Sequence, residues 1–389
     1  MPGQPQLRRL MLVTAAYTMV IGASVPFEAV YLAHRFGTGS ALIGALSTAA
    51  GFLNLPIQLG GGHLSDRWGR RPLLLLGTLS SLAGCFGLAA APSFGVAAVA
   101  FVVLGTGLAL LFPLTQAMAA DLAEPERQER SFARVYAALG VGWALGTIVG
   151  GIVATWSYTL LFVIGALLAV VASFAALTLR ETAPERAAER PAAGRTGHAW
   201  EDPRFVVLGL LVMATWLVGG QLLVTLPIWV VQSLGYPSTL FGAMMAFNGL
   251  LIAVGQVGLS GRVSRLAPAA VMGLGAVGFG VGYGLMALPW VPVLLVGTLL
   301  LTLGEMLLVP TTGVAVDRLA PLDRRGQYQG AVSVLQSLGI SMGPLAGGLV
   351  LQTWGGPALW LACLAWACLC GAGFMAYGKR PSRQPIVSQ

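Results

Sequence analysis

Two acidic side chains lie inside long apolar stretches of this sequence: Glu28 in the stretch 10–33, and Glu305 near the middle of 292–315. The other twelve of the fourteen Asp and Glu residues lie in polar segments. A charged group at the centre of a spanning helix costs about 2.5–3.5 kcal/mol, so such groups usually face an interior cavity. Because a low dielectric disfavours an ionised carboxyl, both residues suit proton binding. A neutral carboxyl that hydrogen-bonds a neighbouring helix is the alternative.

Polar side chains share a helical face with both acids, since residues three, four or seven apart lie above one another on a helix. The face in the first stretch holds Tyr17, Ser24, Glu28 and Tyr31. The face in the second stretch holds Thr298, Thr302 and Glu305. Other polar residues in apolar stretches are Asn54, Gln116, Gln221, Thr225, Asn248 and Gln256. Such groups either contact a substrate or hydrogen-bond one helix to another.

The elements that carry these residues are membrane helices. Only 9% of the 389 residues are charged, against about a quarter in a soluble domain, and the mean hydropathy is +0.80. Apolar runs of about 20 residues match the thickness of a bilayer core. The sequence therefore predicts an all-α polytopic membrane protein with twelve spans, numbered 1 to 12 in chain order. Their predicted ranges are 10–33, 40–61, 73–91, 94–119, 132–155, 159–179, 205–231, 239–260, 269–288, 292–315, 328–353 and 357–377.

The connections between spans alternate in charge. Of the 22 Lys and Arg residues, all but Arg35 lie on the side that holds both termini and the even-numbered connections. We call this side the basic face and the other the neutral face. Basic residues remain on the cytoplasmic side during insertion, so we predict that both termini are cytoplasmic. This topology explains the net charge of +8 without a nucleic-acid partner.

Two six-span halves are indicated by an internal repeat. Five segments of the first half recur in the same order at an offset of about 195–198 residues, among them "LSDRWGRRP" from Leu64 and "LSGRVSRLAP" from Leu259. An even number of spans gives both halves the same orientation. We predict a first half 1–179, a cytoplasmic linker 180–204 and a second half 205–389. Transporters built from such repeats bind substrate at the repeat interface near mid-membrane.

One loop carries a specific resemblance. "GGHLSDRWGRRP" between spans 2 and 3 resembles the loop signature of the major facilitator superfamily, through Gly62, Leu64, Asp66, Arg67, Gly69, Arg70 and Arg71. Segments of spans 7 and 10 resemble bacterial drug-efflux members. The antiporter signature of helix 5 stands here as Gly142, Gly146, Thr147 and Gly150, with Thr in place of Pro. Its intact form is in span 11, as Gly339, Gly343, Pro344 and Gly347.

The resemblance implies roles for particular residues. Spans 1, 4, 7 and 10 would line a central cavity, with Glu28 and Glu305 binding protons or substrate. The remaining cavity residues would be Tyr17, Tyr31, Gln116, Gln221, Thr225 and Thr302. A latch on the basic face would be formed by Gly62, Asp66, Arg67, Gly69, Arg70 and Asp121. In it Asp66 would contact the start of span 11, Arg70 would pair with Asp121, and both contacts would break when this face opens.

Enzymatic classes have weak support in the sequence. "GFMAYGKR" from Gly373 lacks the Ser or Thr of a phosphate-binding loop. The three histidines are scattered, as they would not be in a metalloenzyme. We expect no cofactor or metal. The favoured function is proton-coupled efflux of small amphipathic or cationic compounds from a bacterial plasma membrane, by a protein that acts as a monomer. A sugar or metabolite exporter or facilitator is the alternative, followed by a non-transporting sensor.

Overall fold

Helices account for all twelve spans. The computed structural model describes residues 3–122, 128–182, 199–321 and 324–379, with the backbone alone for 3, 4, 62, 63, 66 and 128–133. Spans 1 to 6 are the helices Gly3–Phe36, Ser40–Trp68, Arg70–Ala90, Phe94–Leu122, Gln128–Trp156 and Tyr158–Leu177. Spans 8 to 10 are the helices Ser238–Val263, Pro268–Leu285 and Val291–Leu319.

The remaining spans depart from single straight helices. Spans 11 and 12 lie in the helical segment Arg325–Gly378, which kinks at Gly355, where φ is +82°. Span 7 consists of the helix Pro203–Gly219, a turn, the short helix Thr225–Pro227 and the π-helix Ile228–Ser233. Ten described helices are long and apolar enough to cross a membrane. Counting the 54-residue helix as two spans and adding the interrupted span 7 gives twelve.

The interruption of span 7 has local causes. Glycine is the least favourable residue in a helix interior apart from proline, and Gly219 and Gly220 stand together where the helix ends. Pro227 has no backbone N–H to continue the ladder. Sequence periodicity predicted one helix over 205–231, and the structure corrects this prediction.

Glycines bring spans together in the same way in both halves. Any side chain at Gly142, Gly146 or Gly150 of span 5 would collide with the backbone of span 1. In span 11, a Cβ at Gly339 or Gly343 would collide with the backbone of span 7 in the same manner. Small residues permit this close approach of membrane helices. The two halves therefore repeat one packing arrangement, as the sequence offset predicted.

The halves meet through two pairs of spans, which touch near the neutral face. In the first pair, Ser40 of span 2 donates a hydrogen bond to the carbonyl of Gly348 in span 11 (2.9 Å). The second pair is spans 5 and 8, whose backbones are in close contact. Beside this contact, Tyr158 at the start of span 6 hydrogen-bonds Ser238 at the start of span 8 (3.1 Å). Towards the basic face, Gly330 of span 11 has open space around its Cα. The closest contacts between the halves therefore lie near the neutral face.

The division into domains stays a prediction. Residues 183–198, which form most of the expected linker 180–204, lie outside the described part of the chain.

Candidate functional site

Glu305 is the centre of a polar cluster between spans 8 and 10. The amide Nδ2 of Asn248 donates to Glu305 Oε2 (3.3 Å) and to Thr302 Oγ1 (2.9 Å). Thr302 in turn donates to the carbonyl of Thr298 one turn earlier (2.6 Å). Thr302 is fully buried, whereas Glu305 is partly exposed. We call Asn248, Thr302 and Glu305 the Glu305 cluster.

The first half faces this cluster with Tyr136 of span 5. This side chain is 39% exposed, and Glu305 acts on its hydroxyl electrostatically. Tyr136 lies four residues before Gly140, whose Cα approaches Ala253 of span 8. It therefore lies on the face of span 5 that turns towards the second half. The Glu305 cluster and Tyr136 together border the space between the halves.

Tyr136 was not singled out from the sequence. One tyrosine among apolar residues carries no signal by itself. The available signal was the spacing of Tyr136 with Gly140 and Trp143, three residues that share one helical face. That pattern marks the side of span 5 on which spans 5 and 8 approach each other.

Glu28 lies in a different environment. It is 4% exposed, and its Oε1 has no hydrogen-bond partner among the described residues. Its electrostatic neighbour is Cys85 of span 3, whose Sγ is 3.4 Å from Ser24 Oγ. Gly165 of span 6 packs against the same Ser24 and Cys85 side chains. Glu28 is therefore enclosed by spans 1, 3 and 6 of its own half, which differs from the central position that the resemblance implied.

The two tyrosines on the same face of span 1 share this enclosure. Tyr17 donates to the carbonyl of Gly107 in span 4 (2.5 Å), and Tyr31 donates to the carbonyl of Leu88 in span 3 (2.7 Å). Their exposures are 0% and 2%. The predicted polar stripe of span 1 exists, but it turns into the first half, where neighbouring backbone carbonyls satisfy it. This corrects the prediction that Tyr17 and Tyr31 line the central cavity.

Gln221 and Thr225 stabilise the interruption of span 7. The backbone N–H of Gln221 bonds to Val218 instead of Leu217, so the Leu217 carbonyl accepts from Gln221 Nε2 instead (3.0 Å). Nε2 also donates to the Gly343 carbonyl of span 11 (2.8 Å), and Oε1 accepts from Thr225 Oγ1 (2.8 Å). Both side chains are buried. The structure thus gives both a role in helix packing and places neither in the open space.

The other polar residues of the spans either hydrogen-bond one helix to another or are partly exposed. Asn54 donates to Val102 of span 4 and accepts from Thr106, and Gln256 donates to Met306 of span 10. These are contacts between helices. Gln116 of span 4 is partly exposed and remains a predicted cavity residue. Across the described residues, His, Cys, Asp and Glu form no group of three that could hold a metal ion.

The loop between spans 2 and 3 is built as a tight connection. Gly69 has φ +92°, a region that other residues rarely adopt. Arg70 forms an ion pair with Asp121 at the end of span 4, which is the pairing that the resemblance implied. Arg67 is exposed. Gly62 and Asp66 are described in backbone only, so the contact of Asp66 with span 11 lies outside the described side chains.

Glu181, which follows span 6, was missed by sequence reasoning. Its carboxylate accepts from the backbone N–H groups of Arg70 (2.8 Å) and Arg71 (3.1 Å), at the start of span 3. A carboxylate is favoured at a helix N-terminus, where N–H groups lack partners. A Cβ at Gly69 would collide with this carboxylate. The loop is therefore fixed from two sides, by Asp121 of span 4 and by Glu181.

Comparisons with known proteins agree with this architecture. The family model described as "Major Facilitator Superfamily" matches residues 10–270 and 259–388. The chain is 28% identical to the uncharacterized MFS-type transporter YttB of Bacillus subtilis, covering 95% of each chain. It is 25% identical to a Na(+), Li(+), K(+)/H(+) antiporter of Planococcus maritimus, covering 82% of this chain and 84% of that protein.

Two further similarities concern a drug-resistance protein and a solved structure. The chain is 25% identical to multidrug resistance protein MdtH of Citrobacter koseri, covering 94% of this chain and 90% of that protein. The crystal structure of the nucleoside transporter NupG (D323A mutant) superposes with a TM-score of 0.83 at 14% identity, covering 96% of this chain and 99% of that one. The structural similarity concerns the fold alone.

Proposed function

Since the chain belongs to the major facilitator superfamily of transporters, we propose that it exports small cationic or amphipathic compounds in exchange for protons, by alternating access of the two halves. The observation that carries this proposal is the position of Glu305. Its carboxyl is partly exposed in the space between the halves and accepts a hydrogen bond from Asn248.

One carboxyl at this position serves both ions. A proton and a cationic substrate compete for the same oxygens, because each neutralises the charge that the low dielectric disfavours. Loss of the proton from Glu305 prepares the site for a cation, and release of the cation on the other side allows a proton to return. The halves then change state only while Glu305 carries a proton or a cation, and never with its carboxylate ionised and empty. This competition couples the two movements.

The neighbours of Glu305 fit this exchange. Asn248 donates to Oε2 (3.3 Å), which favours the ionised carboxyl. Tyr136 offers an aromatic face from the opposite half, and such faces attract organic cations by about 0.5–2 kcal/mol. The Asn248 amide already donates to Thr302 as well, so it is less available to a sugar hydroxyl. Transport measurements decide between a cation and the sugar or metabolite alternative.

Two relatives support the two parts of the proposal separately. The Planococcus maritimus relative is named as a cation/proton antiporter, which supports proton exchange. The Citrobacter koseri relative is named as a multidrug resistance protein, which supports a drug-like substrate. We further propose that the basic face is cytoplasmic and that the protein works as a monomer. Substrate for export would then enter from the basic face.

Transport in proteoliposomes tests the proposal. Purified protein is reconstituted with a pH-sensitive dye inside, a pH gradient is imposed, and lipophilic cations, alkali cations and sugars are added in turn. We expect a cation to dissipate the gradient in wild-type vesicles but not in Glu305→Gln vesicles. Dissipation by sugars alone, or equal rates in both proteins, would contradict the proposal.

A further inference from the structure

The helix pair formed by spans 2 and 11 is joined most tightly near the neutral face. Near the neutral face, Ser40 Oγ donates to the Gly348 carbonyl, and Thr48 Oγ1 donates to the Ser341 carbonyl (2.6 Å). A Cβ at Gly44 would collide with the backbone of span 11 at Pro344. On the same face of span 11, a Cβ built at Gly330 would meet no neighbouring atom within 4 Å. The close contact of the two helices therefore reaches Gln58 and Ser337 but does not extend to Gly330.

Gln352 completes the closed end by a contact across the halves. Its Oε1 accepts a hydrogen bond from the backbone N–H of Ala41 (3.0 Å), in the first turn of span 2. The first N–H groups of a helix lack partners within the helix. Gly39, at the N-cap position of span 2, has no side chain to supply an acceptor. A side chain of the second half thus caps a helix of the first half.

Gly39 is matched to this cap. A Cβ at position 39 would lie 3.0 Å from the amide carbon of Gln352 and closer still to its Oε1, which is too close for either contact. The usual N-cap residues, Ser, Thr, Asp or Asn, would provide their own acceptor and would also displace Gln352. With glycine at this position, capping of span 2 depends on contact with the other half.

We propose that Gln352 is a gating residue that holds the neutral face closed by capping span 2, and that it must leave this cap when the neutral face opens. It acts through span 2 and not on the substrate, so it is a positioning residue. The arrangement is the counterpart of the contact that the resemblance implied on the basic face, where Asp66 of span 2 would reach the start of span 11. The pair of spans 2 and 11 would then be capped at opposite ends in opposite states. This inference rests on the alternating access proposed above.

Distance measurements between spin labels test the gate without any substrate. Labels at Ser93 and Leu288, both exposed in neutral-face connections of different halves, report closure of this face. Cys368 is replaced beforehand, because the other three native cysteines are buried. In lipid nanodiscs at fixed pH, the ratio of short to long distances gives the closed-to-open ratio of the neutral face.

Two substitutions at one position should move this ratio in opposite directions. Gln352→Leu removes the acceptor and should lower the closed-to-open ratio about fivefold, the usual effect of losing one cap. Gln352→Glu keeps an acceptor and adds a negative charge at a helix N-terminus, so it should raise the ratio. Gln58→Leu is the matched control, since Gln58 accepts from Ser337 towards the basic end of the same pair (3.2 Å), and it should not lower the ratio.

A purely structural role would give a different result. Both Gln352 variants would then shift the ratio in the same direction or leave it unchanged, and either outcome overturns the proposal. If Gln352→Leu fails to fold, Ser40→Ala weakens the same end of the pair and should also lower the ratio. Because the ratio is measured without substrate or pH gradient, it is independent of whether Glu305 couples protons. Failure of the gate and failure of the exchange mechanism are thus distinguishable.

Discussion

Glu28 and Glu305 differ in what surrounds them, although both are single acids in apolar spans. Glu28 is enclosed by spans 1, 3 and 6 of the first half, and its Oε1 has no partner among the described residues. Glu305 is partly exposed beside the space between the halves and accepts from Asn248. The Asn248 donor favours the ionised form of Glu305. The comparison supports the proposal of ion exchange at Glu305 and favours a packing role for Glu28.

The largest expected effect comes from Glu305→Gln. Amide nitrogen replaces one carboxyl oxygen at nearly constant size, so the fold should persist while the exchangeable proton is lost. In the wild type, binding of a lipophilic cation should weaken as pH falls, because protons compete for the carboxylate. In Glu305→Gln this pH dependence should vanish, and proton-driven transport should fall to the level without a gradient. Binding titrations at several pH values measure the first effect and the vesicle assay measures the second, and a pH dependence retained by the variant would remove Glu305 from the mechanism.

Asn248→Leu should have the next largest effect. It removes the donor to Glu305 Oε2 and to Thr302 while keeping a side chain of similar size. A hydrogen bond to a charged group contributes about 1.5–3 kcal/mol, so cation binding should weaken by roughly tenfold or more. Asn54→Leu is the control, since Asn54 bonds spans 2 and 4 away from the acid. Equal losses of cation affinity in the two variants would show that helix packing, not Glu305, is affected.

Tyr136→Leu tests whether the first half contributes to the same site. Loss of the aromatic face should weaken binding of an organic cation by about threefold to thirtyfold, the range expected for one cation–π contact. Binding of an alkali cation should change less, because it depends mainly on the carboxylate. Tyr136→Phe keeps the ring and should retain most of the affinity for the organic cation. Unchanged affinity in Tyr136→Leu would confine the binding site to the second half.

The number of spans was predictable because bilayer thickness fixes the length of an apolar helix, and the two repeats were predictable because five segments recur at a nearly constant offset. A polar environment for Glu305 was predictable, since a carboxyl in an apolar stretch needs one, and its role in transport stays a prediction. The only sequence signs of the interruption of span 7 were Gly219, Gly220 and Pro227. The prediction followed the apolar length of the span and gave these residues no weight. The repair of this interruption by the Gln221 side chain depends on Gly343 of span 11, a contact between distant segments. No local pattern contains such information.

The orientation of span 1 was not predictable in the same way. Its polar stripe has the same spacing whether it turns towards its own half or towards the other half. The structure assigns the stripe to the first half through the bonds of Tyr17 to span 4 and of Tyr31 to span 3. Tyr136 is the reverse case, because it lies near Glu305 of the other half although no polar stripe accompanies it in the sequence. Placement relative to the other half follows from packing across the whole molecule.

The smallest expected effect belongs to Glu28→Gln. If Glu28 stays neutral and enclosed throughout transport, an amide of the same size should leave exchange within about twofold of wild type and change the unfolding free energy by less than about 1 kcal/mol. Glu28→Lys is the control for enclosure, since an unpaired buried charge costs several kcal/mol and should prevent folding. Thermal unfolding and the vesicle assay measure both variants. If Glu28→Gln instead abolished exchange as Glu305→Gln does, spans 1, 3 and 6 would have to separate during the cycle. Both acids would then carry protons, each exposed in a different state.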